Sequence, residues 1–347
     1  MKKTATTLAD GRELIYYDAR EGTVRAAADP RPLTPVASRS EIRYDELTGD
    51  PVVIASHRQT RTYLPPADAC PLCPSRDGHE SEIPEAEYEV VVFENRFPSL
   101  SGGAGRCEVV CFTDDHADSF ADLTEERAAL VLDAWTDRTA ALSALPGVQQ
   151  VYCFENRGAE IGVTLPHAHG QIYAFPYVTP RTAATRRRID EHRAATGRNL
   201  FDDVVARERA DGERVVLETA HWIAFVPYAA RWPYEVHLHP KRRVPDLLAL
   251  DGDARAECAR VLLELLGRFD RIFGPDEPPT PYIAAWHQAP FTDGRREDFG
   301  LHLELFTVRR APGKLKFLAG TESGAGAFMN DVRPEDAARR LREVAGA

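Results

Sequence analysis

Short apolar runs bounded by turn-forming residues predict β-strands in the first half of the chain. They occupy residues 51–55, 90–93, 107–112, 148–154 and 172–175, and their β-branched and aromatic content favours extended backbone. Between the third and fourth runs, apolar residues recur with a helical period on one face: Leu130, Val131, Ala134, Trp135, Ala141, Leu142 and Leu145. An N-cap signal precedes this face and a Pro-Gly pair follows it, which predicts one amphipathic helix.

The same order of elements recurs downstream. Residues 221–228, 234–239, 282–286 and 301–308 predict four further strands. Between the second and third of these lies another helical face, formed by Val261, Leu262, Leu265, Leu266, Phe269 and Ile272. The recurrence predicts an α+β fold made by internal duplication, with antiparallel sheets and flanking helices. A chance recurrence of common elements is the alternative that the pattern leaves open.

The pattern divides the chain into three regions. Residues 1–40 carry three prolines and no sustained period, which predicts a loosely structured lead-in. Residues 41–180 and 181–347 are the two predicted halves. An arginine-rich stretch at 180–199 lies at their junction and predicts a helix.

Charge and cysteine content narrow the classes of partner and compartment. The chain has 347 residues, 43 basic and 54 acidic side chains, and a formal charge of −11, so its average field repels nucleic acid and anionic lipid. No apolar stretch approaches the roughly 18 residues of a membrane span. Six cysteines are too few for a disulfide scaffold in a chain of this length. We therefore expect a cytoplasmic protein with no nucleic-acid partner and no membrane contact.

Two histidines with a glutamine form the sharpest local signal. His167 and His169 are two residues apart and Gln171 follows at the same spacing, so the three share a face if the stretch is extended. A neutral imidazole is a competent nucleophile toward phosphorus, and an amide can stabilise the phosphoryl oxygens. A metal-binding or purely structural pair is the other interpretation.

Cys70 and Cys73 have the spacing of half a tetrahedral zinc site. No second Cys-x-x-Cys follows, so the remaining ligands must be distant in sequence. His116 and His167 are the best candidates, because both flank predicted strands of the same half. A pair of free thiols in a loop is the alternative.

Cationic and amide side chains complete the candidate chemistry. Arg58 and Arg61 follow a predicted strand, and two guanidinium groups at this spacing suit a diphosphate. Asn95 and Asn156 each follow a Phe-Glu pair, where they could bind a base and a ribose. Solvated surface arginines and ordinary core aromatics are the alternatives.

Taken in order, these motifs resemble the galactose-1-phosphate uridylyltransferase family of the histidine triad superfamily. The resemblance runs from about Arg43 to the C-terminus. The ordered set of motifs is far more specific than any single motif. The motifs are Cys70-x-x-Cys73, Phe-Glu-Asn95-x-Phe97-Pro, Phe-Glu-Asn156-Arg-Gly158, Gly162-x-Thr-x-Pro-His167-x-His169-Gly-Gln171, Trp286-His-Gln-Ala-Pro290 and Lys316-Phe-Leu-Ala-Gly320.

The resemblance implies a duplicated histidine-triad-like fold and a ping-pong exchange of UMP between UDP-glucose and a hexose 1-phosphate, galactose 1-phosphate. His169 would carry the uridylyl group and Gln171 would stabilise the phosphoryl oxygens. Arg58 and Arg61 would neutralise the phosphates. The nucleotide pocket would be lined by Asn95, Asn156, Gly162 and Thr164.

The resemblance also implies a metal and a partner subunit. Structural zinc would be bound by Cys70, Cys73, His116 and His167. A homodimer would complete the site, with Lys316, Phe317 and Glu322 serving the pocket of the partner.

Several positions depart from the family pattern. Ala168 stands in place of a proline, and Arg96 in place of an acid found in several relatives. Some relatives hold a second metal, often iron, with one glutamate and three histidines. Here His287 and His302 match, but Glu304 stands at the third histidine's place and Thr185 at the glutamate's place, which argues against that site.

Sugar 1-phosphate and base preference stay open. A nucleotide-sugar phosphorylase or a paralogous transferase is the main alternative function. A histidine-triad hydrolase and a binding protein without turnover are the others.

Overall fold

The computed structural model describes residues 1–35, 39–60, 64–292 and 294–346, the side chain of Thr60 excepted. It divides into two units that interleave along the chain. Unit 1 comprises Met1–Cys153, Thr164–Ala184 and Pro290–Gly294, and unit 2 comprises Phe154–Val163, Thr185–Ala289 and Arg295–Ala347. The division into 41–180 and 181–347 stays a prediction about domains.

Fifteen strands and five α-helices are found in the described residues. The strands are β1 Lys2–Thr7, β2 Glu13–Asp18, β3 Glu41–Tyr44, β4 Pro51–Ile54, β5 Val90–Glu94, β6 Arg106–Cys111, β7 Gln150–Arg157, β8 His169–Phe175, β9 Val215–Glu218, β10 Trp222–Phe225, β11 Tyr234–Pro240, β12 Tyr282–His287, β13 His302–Thr307, β14 Arg309–Ala311 and β15 Lys314–Leu315. The helices are α1 Glu125–Ser143, α2 Pro180–Thr196, α3 Leu200–Asp211, α4 Gly252–Arg271 and α5 Pro334–Glu343.

In unit 1 the strands follow the order β1-β2-β5-β6-β8-β7, and the chain passes into unit 2 within β7. The pairs from β1 to β8 in this order are antiparallel. Helix α1 packs on β5 and β8. It begins as predicted, because the Thr124 hydroxyl accepts the backbone N–H of Arg127 at 3.2 Å. Trp135 and Leu142 lie on its buried face, which confirms the predicted amphipathic helix.

The lead-in prediction for 1–40 is wrong over β1 and β2. Strand β2 pairs with β5, and its run Leu14, Ile15, Tyr16 and Tyr17 is almost fully buried. Such a continuous apolar run is the signal of a strand covered on both faces. The prolines and charged residues that follow lower the average apolar content of residues 1–40, so composition alone does not reveal this short strand.

In unit 2 the strands follow the order β12-β13-β11-β10-β9, and the pairs are antiparallel. Helix α4 is capped by Asp251, whose carboxylate accepts the Ala254 N–H at 2.8 Å. It buries Leu262, Leu265 and Phe269 as predicted. The strands predicted from the sequence in this unit are confirmed, whereas β9, α3 and α5 were not anticipated. Each unit thus carries an antiparallel sheet with flanking helices, which confirms the predicted fold class.

Strands β3 and β4 form a separate hairpin, and β14 and β15 form another. Helix α2 confirms the helix predicted at 180–199. Among the described residues, no helix combines the length and the apolarity that a membrane crossing requires.

Candidate active site

A cavity of about 170 Å³ opens in unit 1. Strands β5, β6 and β8 supply one wall, and the loops before β5, after β5 and before β8 supply the others. Its lining combines apolar side chains with polar and charged groups, which can hold and orient a small-molecule ligand. The lining residues are Arg58, Pro71, Leu72, Glu82, Phe93, Asn95, Arg96, Phe97, Val109, Thr164, Leu165, His169 and Gln171.

Strand β8 places its functional side chains by alternation. Gly170, Ile172 and Ala174 are buried, whereas His169 and Gln171 are half-exposed and line the cavity. In the antiparallel register, Val109 of β6 lies opposite Gln171 and lines the same cavity. The pleat therefore brings the predicted nucleophile and the predicted phosphoryl-oxygen donor to one face.

The ring of His169 is held in one tautomer. Its Nδ1 lies 2.8 Å from the backbone carbonyl of His167, and because a carbonyl only accepts, Nδ1 must carry the proton. Burial lowers the pKa of His169 below its ordinary value of 6.5, and the hydrogen bond to that carbonyl offsets only part of the shift. The neutral ring therefore keeps a lone pair on Nε2 at neutral pH, as a nucleophile requires.

Polar groups beside His169 match a phosphate ligand. Arg58 lies in the short 3₁₀-helix Ser56–Thr60 and lines the cavity. Gln171 lines the same cavity, and among the described residues its side-chain Oε1 is buried and has no hydrogen-bond partner. Arg61, the second predicted phosphate ligand, lies outside the described residues.

Asn95 and Thr164 line the cavity as predicted. The Asn95 side chain accepts the backbone N–H of Phe97 at 2.8 Å, which closes a tight turn at the end of β5. Thr164 accepts the N–H of Leu64 through its backbone carbonyl at 2.9 Å, so its side chain is not committed by that contact.

Glu82 is a cavity residue that sequence reasoning missed. This buried carboxylate contacts Arg12 at 2.5 Å, Arg31 at 3.0 Å and Arg96 at 3.7 Å. Arg12 also donates to the Glu94 carbonyl at 2.9 Å, next to Asn95. The missing signal was the hairpin of β1 and β2, because Arg12, which lies between these strands, meets Glu82 only once β2 has paired with β5.

The four predicted zinc ligands lie together beneath this site. Ligand atoms of Cys70, Cys73, His116 and His167 all lie within 4.8 Å of one another. The Cys73 Sγ is 3.3 Å from Nδ1 of His116 and 3.5 Å from Nδ1 of His167. These separations fit neighbouring corners of a tetrahedron with metal bonds of about 2.1–2.3 Å.

The surroundings of the cluster also fit a metal. Nε2 of His167 donates to the Thr113 carbonyl at 2.7 Å and lies 2.9 Å from the Tyr88 hydroxyl, which leaves Nδ1 as the ligand atom. Burial and the neighbouring Cys70 raise the pKa of Cys73 to about 12, so the thiolates need a bound cation for their charge. The donor set of two thiols and two imidazoles is typical of structural zinc.

Comparison with known proteins agrees with this geometry. Residues 101–179 match the model described as galactose-1-phosphate uridyl transferase, N-terminal domain, and residues 185–347 match the C-terminal domain model. A galactose-1-phosphate uridylyltransferase of Streptomyces lividans is 61% identical over 99% of this chain and 98% of its own length.

The chain belongs to the galactose-1-phosphate uridylyltransferase family, as the sequence motifs predicted, and is a transferase. A family member from Thermotoga maritima is 37% identical over 88% of this chain and 98% of its own length. A solved uridylyltransferase structure covers 88% of this chain and 98% of its own, with 31% identity and a TM-score of 0.77.

An ADP-glucose phosphorylase from Arabidopsis thaliana shares the fold of this uridylyltransferase family member. It has 22% identity and a TM-score of 0.69, and the match covers 89% of this chain and 100% of that one. At this identity the likeness concerns the fold alone.

Other residues that the family resemblance singled out lie in unit 2. Asn156 is half-buried on β7, and Gly162 closes a short 3₁₀-helix at a φ of 83° that favours glycine. Lys316 and Glu322 are buried and paired at 2.9 Å, and this contact lowers the pKa of Glu322. Phe317, between them in sequence, is 74% exposed.

Three of the four positions of the family's second metal site come together in unit 2. Ligand atoms of His287, His302 and Glu304 lie within 4.8 Å of one another, and all three side chains are buried. The sequence argued against this site because Thr185 and Glu304 depart from the family pattern. The geometry shows that Glu304 supplies a carboxylate of its own beside the two matching histidines.

Proposed function

We propose that this chain exchanges UMP between UDP-glucose and galactose 1-phosphate through a uridylyl-His169 intermediate. The observation that carries the proposal is the ring of His169 in the cavity wall, with Nδ1 committed to the His167 carbonyl at 2.8 Å. Only Nε2 remains to react, and Gln171 and Arg58 line the same cavity.

In the first half-reaction, the Nε2 lone pair attacks the α-phosphorus of UDP-glucose. A nitrogen–phosphorus bond forms, the bond from that phosphorus to the bridging oxygen breaks, and glucose 1-phosphate leaves with the electron pair. In the second half-reaction, a phosphate oxygen of galactose 1-phosphate attacks the same phosphorus and restores the free imidazole. The Nδ1 proton stays on the ring throughout, so the carbonyl of His167 stabilises the charge that develops there.

The polar neighbours of His169 have distinct roles in this proposal. Gln171 donates its amide N–H to a non-bridging oxygen as charge builds in the transition state. Arg58, with Arg61, offsets the diphosphate charge that an acidic chain would otherwise repel. Asn95 and Thr164, which line the cavity, bind the nucleoside, and the roles of Asn156 and Gly162 stay predictions from the family resemblance.

A zinc ion bound by Cys70, Cys73, His116 and His167 would supply structural stabilisation and no reaction step. Two different parts of His167 then have separate functions. Its ring binds the metal, and its backbone carbonyl holds the nucleophile. Ordering this segment fixes the direction of Nε2 before substrate arrives, which lowers the entropic cost of attack.

We also propose a homodimer in which the segment carrying Lys316, Phe317 and Glu322 serves the partner's site. The exposure of two neighbouring apolar side chains supports this, since Phe317 is 74% and Leu318 49% accessible in the isolated chain and contiguous exposed apolar surface marks interaction sites. Light scattering of the purified protein should give twice the chain mass. Phe317→Glu should shift it toward the monomer mass, whereas a wild-type monomer would contradict the dimer.

The test of function is transfer of label from UDP-glucose. The enzyme is incubated with UDP-glucose labelled in the uridylyl group, and protein-bound label is measured after acid-free denaturation. Acceptors are then added separately: galactose 1-phosphate, inorganic phosphate and water. Collection of label by galactose 1-phosphate is expected. Collection by phosphate alone would make the chain a phosphorylase, and the absence of bound label would remove the covalent intermediate.

A further inference from the structure

Glu82 lines the cavity of unit 1, but the transfer reaction proposed above gives it no role. Its side chain is 7% exposed, and its backbone N–H donates to the Pro71 carbonyl at 3.0 Å. A buried carboxylate costs free energy unless its oxygens are paired and hydrogen-bonded. The contacts that pair Glu82 therefore indicate what this end of the cavity can bind.

Two arginines near the N-terminus fix the direction of this carboxylate. Nη2 of Arg12 donates to Glu82 at 2.5 Å, and Nη1 of Arg31 lies 3.0 Å from Oε1 of Glu82. Nε of Arg12 also donates to Asp10 at 2.8 Å. Nε of Arg31 likewise donates to Asp29 at 2.8 Å. The carboxylate of Glu82 is thus oriented before a ligand arrives, which lowers the entropic cost of binding.

Arg96 contacts the same carboxylate more loosely. Its Nη1 lies 3.7 Å from Oε1 of Glu82, whereas charge-assisted hydrogen bonds are about 2.7–2.9 Å long. The Arg96 side chain is 38% exposed and lines the same cavity. A carboxylate accepts about four hydrogen bonds and a guanidinium donates up to about five, so the contacts above leave both groups capacity for a ligand. The cavity wall therefore presents an acceptor beside a donor.

The charges of this network balance. It contains three guanidinium groups and three carboxylates, from Arg12, Arg31, Arg96, Asp10, Asp29 and Glu82. Their formal charges sum to zero, so the network as a whole favours neither a phosphate nor a cation. A neutral ligand edge with an N–H beside a C=O would satisfy both Glu82 and Arg96 without leaving a buried charge unpaired.

The network lies across the cavity from the nucleophile. Gln171 of β8, Val109 of β6 and Phe93 of β5 lie opposite one another in register, so β5 is about 10 Å from β8 at about 4.8 Å per strand. Glu82 lies on the β5 side, because its partner Arg12 donates to the last carbonyl of β5 at 2.9 Å. The reactive imidazole belongs to β8, at the other end of this row.

A nucleotide bound with its phosphate at His169 would span this distance. The base is the part of a nucleoside phosphate farthest from phosphorus, so it reaches the Glu82 side. Phe93 and Val109 line the cavity between the two ends, and their apolar surface suits the faces of a base. The neutral edge expected beside Glu82 is therefore that of the base.

We propose that Glu82 and Arg96 select the base of the nucleotide substrate: Glu82 accepts the N3–H of uracil, and Arg96 donates to the adjacent carbonyl oxygen. Arg12 and Arg31 are positioning residues for Glu82. Cytosine presents a lone pair at N3 and an amino group at C4, so it loses both hydrogen bonds. This inference rests on the proposed function, which supplies a uridine nucleotide. Arg96 stands where several relatives carry an acid, so the donor of this pair is a feature of this chain and not of the family pattern.

The test measures the affinities of UMP and CMP for the full-length protein by calorimetry. The two ligands share the ribose and the phosphate, so the ratio of their Kd values isolates the base edge. Wild type should bind UMP about 10–100-fold more tightly than CMP. Glu82→Gln should reduce this preference to less than about threefold, because a neutral amide can accept or donate and so fits either base. Glu80→Gln, at an exposed neighbour that does not line the described cavity, is the matched control and should keep the wild-type preference.

Two further variants separate recognition from folding. Arg96→Met should lower the preference about 3–10-fold, and it removes no close ion pair among the described residues. Arg31→Gln should lower the preference by a similar factor in wild type but not in the Glu82→Gln background, where no carboxylate remains to be oriented. A loss that persists in that background would show that Arg31 acts on the fold. Equal weakening of UMP and CMP binding in Glu82→Gln, with the preference kept, would overturn the proposal.

Ribose recognition is the competing outcome, and dUMP tests it because dUMP lacks the 2′-hydroxyl and keeps the uracil edge. If Glu82→Gln abolished a preference for UMP over dUMP and left the preference for UMP over CMP unchanged, the pair would bind the ribose and the proposal would be wrong. Uridylyl transfer from UDP-glucose is measured separately. A wild type that prefers UMP but forms no His169 adduct would refute the proposed function alone. A wild type that forms the adduct without preferring UMP to CMP would refute only the base selection.

Discussion

The two units use the same local hydrogen bond in different surroundings. His169 opens β8 and donates from Nδ1 to the carbonyl two residues earlier at 2.8 Å, and His302 opens β13 and does the same at 2.8 Å. In both units the residue two positions later shares the face of the histidine. It is Gln171 in unit 1 and Glu304 in unit 2. The backbone therefore presents Nε2 in the same way in both.

The difference lies in what Nε2 meets. In unit 1 the ring lines a cavity with an amide and an arginine, which suits an incoming phosphate. In unit 2 the ring is buried and Nε2 faces a carboxylate at 3.6 Å, which repels phosphate and favours a cation. The residue at the second position thus differs in charge: a neutral amide follows the ring that lines the cavity, and a carboxylate follows the ring that is buried. The comparison teaches that the strand sets the tautomer, while the neighbours set the chemistry.

Replacing His169, the imidazole that lines the unit 1 cavity, is expected to have the largest effect on the rate of UMP exchange. His169→Asn should lower the rate of UMP exchange by at least about 10⁴-fold, because no other imidazole lines the described cavity to accept the uridylyl group. Exchange is measured by product formation and the adduct by intact mass. His221→Asn serves as the control and should keep the wild-type rate. Substantial exchange or a persisting adduct in His169→Asn would refute the assignment.

Replacing Gln171 tests whether the charge of the residue two positions after the histidine distinguishes the two units. Gln171→Glu gives unit 1 the residue of unit 2, and should lower kcat/KM about 10²–10³-fold, because it removes a phosphoryl-oxygen donor and adds a repelling charge. Gln171→Met, which removes the donor without adding charge, separates the two effects. If Gln171→Glu and Gln171→Met lower kcat/KM equally, the added charge has no effect on the reaction. The charge at this position would then not distinguish the two units.

Breaking the thiolate cluster tests how the nucleophile is held. Cys73→Ser should remove the unit 1 metal and lower Tm by roughly 10 °C, because structural metal binding is folding energy. Calorimetry with and without chelator measures this. Wild type should fall toward the Tm of the variant when stripped of metal, and the variant itself should not respond. Equal Tm values in all four conditions would contradict a structural metal.

The smallest expected effect is on pH dependence. The pKa of His169 is lowered by burial, so the reactive neutral ring persists below its ordinary pKa of 6.5. The acid limb of kcat/KM should therefore lie below pH 6.5, and the rate at pH 6.5 should be more than half of its plateau. A pH–rate profile measured at saturating metal decides this. An acid limb above pH 6.5 would show that the free ring is more basic than its burial implies.

Much of the candidate site could be predicted because its signals are local. The Cys70-x-x-Cys73 spacing and the alternation of His169 and Gln171 each lie within four residues, and the structure brings these groups to the places their spacing predicted. The meeting of Cys73 with His116 and His167 joins residues 43 and 94 positions apart. The motifs are compatible with the contact of Cys73 with these two histidines, but no local pattern in the sequence requires it.

By itself the sequence determined the elements with strong periods, the duplicated order of those elements and the choice of His169 as the candidate reactive ring. Periodicity and short motifs are written in neighbouring residues, so they survive without knowledge of the fold. Tertiary structure alone decided that Leu14–Tyr17 joins the unit 1 sheet, that Glu82 reaches the cavity and that His237 meets Glu304. These contacts depend on which strands pair and in which register, and a shift of one residue would turn each side chain to the other face.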